Sequence, residues 1–357
     1  MRKFISIACI CVTFNVSAQY WQQSIHYDMD ITMDVEKNQY RGTQQISYTN
    51  NSPDTLRKAY FHLYFNAFQP ESMMDVRSRT IDDPDRRVKD RIEGLTKDEI
   101  GFQNIQSLLQ NGQSLDWDIQ GTVLKCTLAK TLLPGQTTTF EMSWNAQVPQ
   151  QIRRSGRDNK EGIDFTMTQW YPKLAEYDED GWHPDQYVGR EFYGVWGSFN
   201  VHINIHQDYV LGGTGLVQNP NQVGFGYGGI KKVKIAPEEL RTWHFKADSV
   251  HDFAFAADPD YKHTQLQLKN GPLVHLLYDP KTANKSNWIK IQKGYLQEYF
   301  DFMAKHFGKY PYQQFSLIQG GDGGMEYPMC TMMLGGGDSF EGFTGLFVHE
   351  ATHNWYY

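Results

Sequence analysis

The chain has 357 residues, of which 40% are hydrophobic and 21% charged, and its formal net charge at pH 7 is -7. These values are typical of a soluble globular protein that is long enough for two or more domains. The negative charge provides no basic footprint for nucleic acid, so no nucleic-acid partner is expected.

The first eighteen residues have the pattern of a secretory signal peptide. Arg2 and Lys3 provide a positive start, an apolar run covers residues 4–14, and Val16-Ser17-Ala18 resembles a cleavage site. This apolar run is shorter than the roughly 20 residues that span a bilayer, and no longer run follows. We therefore expect a mature chain without a transmembrane segment, exported to the periplasm or the medium.

Two cysteines remain after the signal peptide, Cys126 and Cys330, and each lies in a strand-like context. Exported proteins often pair their cysteines, but nothing in this spacing requires a disulfide. We expect two buried free thiols.

Residues 19–258 contain short strand patterns without a repeat period. Residues 27–35 and 40–48 alternate apolar and polar side chains, and Pro134-Gly135 is a clear turn signal. Further strand patterns occupy residues 59–65, 122–128, 137–144, 198–205 and 242–247. These patterns predict a β-rich N-terminal domain, built as a saddle or a sandwich.

Two segments interrupt these strands. Residues 75–99 are charge-rich and contain Asp82-Asp83-Pro84-Asp85-Arg86-Arg87, which favours a solvated excursion over a binding patch. Residues 161–193 place many aromatic side chains, among them Trp170 and Tyr171, in a loop rich in Gly, Pro and Asp. Such a loop either lines a site or forms a hydrophobic plug between domains, and the sequence leaves both open.

The pattern changes in residues 259–357. A strand is predicted at Leu273–Tyr278, a helix at about residues 287–306 and a strand at Phe315–Gln319, followed by a glycine-rich loop and a second helix. This is the local order of a thermolysin-like catalytic domain. We therefore predict an α+β multidomain fold, in which residues 259–357 form the first part of such a domain.

The chain ends in the motif His-Glu-x-x-His, formed by His349, Glu350 and His353. Four residues are just over one helical turn, so the two imidazoles share a helix face and can supply two nitrogens to a tetrahedral Zn²⁺ site. Glu350 can then act as general base toward water that the metal activates. The alternative is an ordinary amphipathic helix with two surface histidines. The cap candidate Ser339 and the apolar run that follows it favour the helical setting of a zinc motif.

The glycine loop, residues 320–328, does not fit a phosphate site because no Lys-Ser/Thr follows it. Glycines also let an extended backbone approach a ligand closely, as an added strand does. Glu326 would place one carboxylate beside that backbone, where a free α-amino group can form charge-assisted hydrogen bonds. The alternative is a β-bulge with a surface glutamate.

Together these motifs resemble the M1 family of gluzincin aminopeptidases. The family carries G-x-M-E-N followed by H-E-x-x-H-x-W-x. The stretches that carry the likeness are Gly323-Gly324-Met325-Glu326, His349-Glu350-Ala351-Thr352-His353-Asn354-Trp355-Tyr356, Thr168-Gln169, Phe307-Gly308-Lys309-Tyr310-Pro311-Tyr312, and Tyr48-Thr49-Asn50-Asn51-Ser52-Pro53 with Phe61-His62-Leu63-Tyr64.

The resemblance implies a zinc metallopeptidase that removes N-terminal residues from peptides with a free N-terminus. It implies that His349 and His353 are zinc ligands and that Glu350 is the general base. The residues that it assigns to the substrate are Glu326 and Gln169 for the amino group, and Gly323, Gly324 and Met325 for the backbone.

Two departures from the family pattern matter. Tyr327 stands where the family usually has Asn. A catalytic zinc site also needs three protein ligands and a water, and the family's third ligand, a Glu, and its transition-state Tyr have no counterpart up to Tyr357. We expect a fragment or a truncated product that binds zinc weakly and hydrolyses little. Two alternatives remain, a non-catalytic peptide-binding or scaffold remnant and a zinc endopeptidase.

Overall fold

The computed structural model describes residues 20–82, 85–189, 193–236, 239–337 and 339–356. The predicted signal peptide lies outside the described residues. No helix within them is long and apolar enough to cross a membrane.

The described strands are Ser24–Asp34 (β1), Gln39–Thr49 (β2), Leu56–His62 (β3), Phe102–Gln110 (β4), Gln113–Ser114 (β5), Trp117–Gln120 (β6), Val123–Leu132 (β7), Thr137–Gln147 (β8), Gly156–Arg157 (β9), Phe165–Met167 (β10), Lys173–Leu174 (β11), Tyr177–Asp178 (β12), Gly181–Trp182 (β13), Gly197–His206 (β14), Val210–Gly213 (β15), Leu216–Val217 (β16), Leu240–Val250 (β17), Phe255–Asp258 (β18), Lys262–Gln267 (β19), Leu273–Tyr278 (β20), Gln314–Gln319 (β21), Met325–Tyr327 (β22) and Cys330–Met333 (β23). The described α-helices are Met73–Thr80 (α1), Pro220–Val223 (α2), Lys285–Lys290 (α3), Leu296–His306 (α4) and Phe340–Thr352 (α5).

The first two thirds of the chain are built on an eight-stranded sheet with the order β16-β17-β14-β1-β2-β8-β4-β5. Its neighbours pair antiparallel except β1 and β14, which run parallel. β1 buries every second side chain, as the alternating sequence predicts. The buried face meets smaller sheets, β11-β3-β7-β6 and β15-β18-β10-β9. The result is a mixed-sheet architecture with few helices.

The aromatic loop contributes to this core. Trp170 and Tyr171 are fully buried, and the Trp170 ring meets Phe253 and Phe255 edge-on. The sequence left open whether this loop lines a site or forms a hydrophobic plug, and these two side chains pack in the core.

The last third carries a five-stranded sheet with the order β19-β20-β21-β23-β22, in which β20, β21 and β23 are parallel. Alternate side chains of its strands enter two different cores. Leu277 and Ile318 join the large core of the preceding sheets, whereas Leu276 and Leu317 pack with α4 and α5. The backbone of β15 touches the first face directly. A Cβ on Gly212 would lie 2.7 Å from Cδ1 of Leu277.

Three sequence expectations need correction. The strand predicted at residues 59–65 ends at His62, because the chain turns into a 3₁₀ helix at Tyr64–Ala67. The helix predicted at residues 287–306 is interrupted by a π-helical turn at Ile291–Tyr295, between α3 and α4.

The third correction concerns the charged excursion, which is not merely solvated. Its apolar side chains Val88 and Ile92 form a small core with Met74, Tyr64 and Tyr187. The segment is therefore folded against the body of the protein. The two cysteines, Cys126 and Cys330, are buried and free, as the sequence predicts.

Candidate active site

The helix α5 positions the His-Glu-x-x-His motif. Ser339 caps its first turn, because the hydroxyl oxygen of Ser339 accepts a hydrogen bond from the backbone N–H of Gly342 at 3.0 Å. Phe343, Phe347 and Ala351 are buried between the helix and the five-stranded sheet. Because this apolar face fixes the rotation of the helix, the opposite face can present the two histidines.

His349 and His353 lie one turn apart on α5, with their ring centroids 5.2 Å apart and their planes at 84°. Nδ1 of His353 lies 2.9 Å from the carbonyl oxygen of Tyr356. Since a carbonyl only accepts, Nδ1 carries the proton and the lone pair of neutral His353 is on Nε2. This is the arrangement of a metal-binding histidine whose second nitrogen is held by the protein.

Glu350 is turned toward the glycine loop and is 5% exposed. A Cβ on Gly324 would lie 2.0 Å from its Oε1, so a side chain at this position would force the carboxyl group to move. The other oxygen, Oε2, is buried and has no hydrogen-bond partner among the described residues. A buried carboxylate oxygen without a partner is suited to a ligand or a water molecule.

Burial and the neighbouring Glu326 carboxyl group together raise the pKa of Glu350 to about 7, while the positive charge of Arg154 acts in the opposite direction. The carboxyl group of Glu326 is therefore close enough to Glu350 to disfavour the charged form of Glu350. The structure thus brings the predicted general base and the predicted amine-binding carboxylate together.

The glycine loop leads into β22, the last strand of the five-stranded sheet. Asp322 and Gly323 have φ angles of +70° and +99°, which turn the backbone sharply before Gly324. Met325 is then buried and touches the Arg154 guanidinium, whereas Glu326 is half-buried. On its outer side β22 pairs with no further strand of the described chain, so a peptide has an edge to pair with.

Gln169 lies beneath this strand and is 2% exposed. Its side-chain Nε2 donates to the hydroxyl oxygen of Tyr327 at 2.9 Å, and that hydroxyl lies 3.2 Å from its Oε1. Tyr327, which stands where the M1 pattern has Asn, therefore forms hydrogen bonds with Gln169, the residue predicted to bind the substrate amine. Gln169 also has a φ angle of +49°, an uncommon value for a non-glycine residue.

Sequence reasoning missed two contributors to the site. Asn354 is buried, and its Oδ1 accepts from the backbone N–H of Met329 at 2.8 Å, which ties the end of α5 to the segment after β22. Arg154 places a positive charge near Glu350. The position of Asn354 directly after His353 was a usable signal, whereas nothing local marks Arg154.

The residues fit two positions of a zinc site. Both imidazoles share one helix face, and His353 has its Nε2 lone pair free of the hydrogen bond on Nδ1. No group of three or more His, Cys, Asp or Glu side chains that could hold a metal occurs within the described part of the chain. The described residues therefore supply two protein donors and no third.

No protein-family model and no curated protein matches the chain. Solved structures do. The M1 zinc metallopeptidase from Deinococcus radiodurans aligns with a TM-score of 0.60 at 13% identity, over 94% of this chain and 64% of that one. The fold is shared with M1 zinc metallopeptidases.

Two further structures support the likeness. A mutant of a two-domain M1 zinc metallopeptidase bound to L-arginine aligns with a TM-score of 0.60 at 14% identity, over 94% of this chain and 65% of that one. A mutant of the Deinococcus radiodurans enzyme bound to a Tyr-Ser-Ala substrate aligns with a TM-score of 0.58 at 13% identity, with the same coverage. The chain thus spans less than two thirds of the length of these M1 structures, 64% to 65%.

Proposed function

We propose that this chain belongs to an M1-type zinc metallopeptidase that removes N-terminal residues from peptides. The observation that carries the proposal is the meeting of Glu350, from the His-Glu-x-x-His helix, with Gly324 and Glu326 of the glycine loop. A general base, two candidate metal ligands and a peptide-binding edge thereby share one site. The shared fold with M1 structures supports the same reaction class.

The proposal includes the domain organisation and the compartment. Residues 1–18 are a signal peptide that directs export, residues 19–258 form the saddle-shaped or sandwich-like β domain, and residues 259–357 form the first part of a thermolysin-like catalytic domain. Within the described residues, the proposal assigns His349 and His353 to zinc, and no group of three or more candidate ligands occurs there.

In the reaction, His349 and His353 would each hold Zn²⁺ through one imidazole nitrogen. When bound, zinc supplies Lewis-acid activation of the scissile carbonyl group and of the attacking water. Glu350 accepts the proton of that water as it attacks the carbonyl carbon, and it returns a proton to the leaving amine. The buried position of Glu350 excludes bulk water from this transfer.

Substrate selection follows from Glu326 and the edge of β22. The backbone of Gly323, Gly324 and Met325 pairs with the extended peptide. Glu326 binds the free α-amino group, and Gln169, oriented by Tyr327, shares that amine through its side-chain oxygen. An internal peptide bond or an acetylated terminus offers no positive charge to Glu326.

The test compares an aminoacyl chromogenic substrate with its N-acetylated form in the full-length, zinc-loaded enzyme. Glu350→Ala should abolish turnover while zinc and peptide binding persist. Glu326→Ala should raise KM and lower the preference for the free amine by about ten- to a hundredfold, since a charge-assisted hydrogen bond contributes roughly 1.5–3 kcal/mol.

Glu341→Ala is the matched control, because Glu341 is exposed in the first turn of the same helix. It should behave as the unsubstituted enzyme. Equal cleavage of the free and acetylated substrates by the unsubstituted enzyme would contradict aminopeptidase activity and favour a zinc endopeptidase. Peptide binding without any turnover would favour the non-catalytic alternative.

A further inference from the structure

A cavity of about 510 Å³ lies against the beginning of the glycine loop. Residues 321–323 form one wall of it, directly before Gly324, which contacts Glu350. The folded excursion forms a second wall. The charged residues that line the cavity, called here the arginine cavity, are Arg86, Arg87, Arg91, Lys160, Glu161 and Asp322.

Two carboxylates beside the arginine cavity are already neutralised by two guanidinium groups. Arg153 is 1% exposed, contacts Asp322, and places Nε 3.1 Å from a carboxylate oxygen of Asp85. Arg87 bridges the same two acids, at 3.3 Å from Asp85 and 3.7 Å from Asp322. Because this network of four residues is balanced, Asp322 contributes little repulsion to an anion in the cavity.

The remaining lining charges are three cations and one carboxylate. Arg91 donates to the carbonyl oxygens of Arg87 at 2.8 Å and Gln151 at 3.0 Å, which hold its guanidinium in place without neutralising it. Arg86 and Lys160 form no ion pair with any carboxylate in the ranges that the structure describes. Glu161 is the single opposing charge, and its Oε2 accepts from the N–H of Gly335 at 2.7 Å. The cavity is thus positive in a chain whose net charge is -7.

The distance to the proposed amine site suits a short peptide. Gly323 at the cavity wall and Glu326 are three residues apart, which is at most about 10 Å along the chain. An extended peptide whose amino group binds Glu326 is therefore within reach of the arginine cavity. The part that reaches the cavity is either a long side chain of its first residue or its backbone two or three residues further along.

We propose that the arginine cavity binds a carboxylate of the peptide substrate. The proposal rests on the peptidase function proposed above and adds a substrate class to it. Two sources provide this chemistry, the side chain of an acidic residue and the terminal carboxylate of a di- or tripeptide. Arginine guanidinium groups bind either one through paired N–H donors.

The test measures equilibrium binding of four fluorescently detected tripeptides to the full chain. Glu-Ala-Ala-amide against Gln-Ala-Ala-amide isolates the acidic side chain. Ala-Ala-Ala against Ala-Ala-Ala-amide isolates the terminal carboxylate. We expect one of the two carboxylate peptides to bind roughly three- to tenfold more tightly than its neutral match, which is the range for partly exposed ion pairs with charge-assisted hydrogen bonds.

Arg86→Glu and Lys160→Glu are the variants of choice, because both side chains are exposed and neither belongs to the Arg153 network. Each should abolish the preference for the carboxylate and leave binding of the neutral peptides unchanged. Lys130→Glu is the matched control. Lys130 is exposed on β7 and does not line the cavity, so this charge reversal should preserve the preference.

The outcomes separate the inference from the function on which it rests. Peptide binding that is indifferent to the carboxylate, or a carboxylate preference that survives both Arg86→Glu and Lys160→Glu, would overturn the arginine cavity as an anion subsite while the proposed peptidase stands. Failure of every peptide to bind, together with no turnover of free-amine substrates by the zinc-loaded enzyme, would overturn both.

Discussion

Gly324 of the glycine loop lies against the Glu350 carboxyl group of α5. The space for the carboxyl group exists only because Gly324 has no side chain, since a Cβ there would lie 2.0 Å from Oε1 and 2.5 Å from Cδ of Glu350. The Glu350 carboxyl group can rotate away from the methyl group of an alanine at position 324. The fold therefore tolerates this substitution, but the substitution displaces Glu350, the proposed general base.

Gly324→Ala should therefore lower kcat/KM for the aminoacyl substrate by about a hundredfold, the size expected for a catalytic group displaced by about 1 Å. Thermal unfolding should change little. Gly337→Ala is the control, because a Cβ at Gly337 meets nothing within 4 Å. Full activity of Gly324→Ala would show that the contact between Glu350 and the loop has no catalytic role.

At the scale of residues, the His-Glu-x-x-His motif is visible in the sequence, whereas the distant residues that surround it are not. Glu350 and Glu326 were both predicted, because each stands in a local pattern. The contact of Gln169 with Tyr327 joins residues 158 positions apart, and that of Arg153 with Asp322 joins residues 169 apart. No local pattern encodes such contacts. The hydrogen bond of Gln169 with Tyr327 and the arginine cavity therefore become visible only in the folded chain.

At the scale of elements, α5 is stabilised mainly by its buried face. The Tyr299 ring of α4 meets Phe347 at a centroid distance of 4.9 Å, and Ser339 caps the first turn. Gly345 is the least favourable residue of the helix, since glycine within a helix is less favourable than alanine by about 1 kcal/mol. It is exposed, and a Cβ there meets nothing within 4 Å.

Gly345→Ala should therefore raise the free energy of unfolding by about 0.5–1 kcal/mol. Chemical denaturation followed by tryptophan fluorescence measures the change, and substitution of the exposed loop residue Gly337 by alanine provides the comparison. A destabilised Gly345→Ala protein would mean that this face of α5 is covered by other parts of the protein.

A second element contact predicts a pH dependence. His263 of β19 and His275 of β20 lie 2.8 Å apart through Nε2 and Nδ1, and Nδ1 of His263 contacts the carbonyl oxygen of Phe225. In the neutral pair each Nδ1 donates along this chain of hydrogen bonds. Burial lowers the pKa of His263 to about 4, and burial together with the neighbouring His263 lowers that of His275 to about 3.

In the unfolded chain His275 takes up a proton near pH 6.5, whereas in the folded protein it stays neutral at that pH. His275 therefore lowers the free energy of unfolding as the pH falls from about 6.5 toward its folded pKa. Relative to His275→Asn, the unsubstituted protein should lose roughly 2 kcal/mol of unfolding free energy between pH 7.5 and pH 5. Urea titrations at both pH values test this. His306→Asn, a change at an exposed histidine, is the control and should have the same pH dependence as the unsubstituted protein. If His275→Asn also had that pH dependence, the burial argument would be refuted.

The accuracy of element prediction followed the strength of the local pattern. β20 was predicted with its observed ends, Leu273–Tyr278, because an apolar run between turn residues defines a buried strand. The strand at residues 59–65 and the continuous helix at residues 287–306 were wrong in detail, because a 3₁₀ turn and a π turn leave the apolar spacing almost unchanged.

At the scale of the whole molecule, the five-stranded sheet joins the two cores. One face belongs to the large β core through Leu277 and Ile318, and the other supports α5. The hydroxyl of Ser316 on β21 also donates to the carbonyl oxygen of Gly213 on β15 at 3.1 Å. The glycine loop and the helix that carries the histidines are therefore fixed relative to the β sheets whose connecting segments contain Gln169 and Arg154.

The mixed sheets and few helices of the chain were predictable, because strand and helix patterns occupy different parts of the sequence. The folding of the excursion was not, since its charged residues outnumber the few apolar side chains that fold it back onto the protein. The division into domains at residue 258, the signal peptide and the assignment of site residues to zinc and substrate stay predictions.

The proposed metal centre at one turn of α5 is tested most directly by a Zn²⁺ titration of the 357-residue chain in competition with a chromogenic chelator. Two imidazoles without a third donor should bind one zinc weakly, and His349→Ala and His353→Ala should each lower the affinity by at least about tenfold. His306→Ala, a change at an exposed histidine of α4, should leave it unchanged. Zinc affinity that is equal in all four proteins would contradict a metal site at His349 and His353.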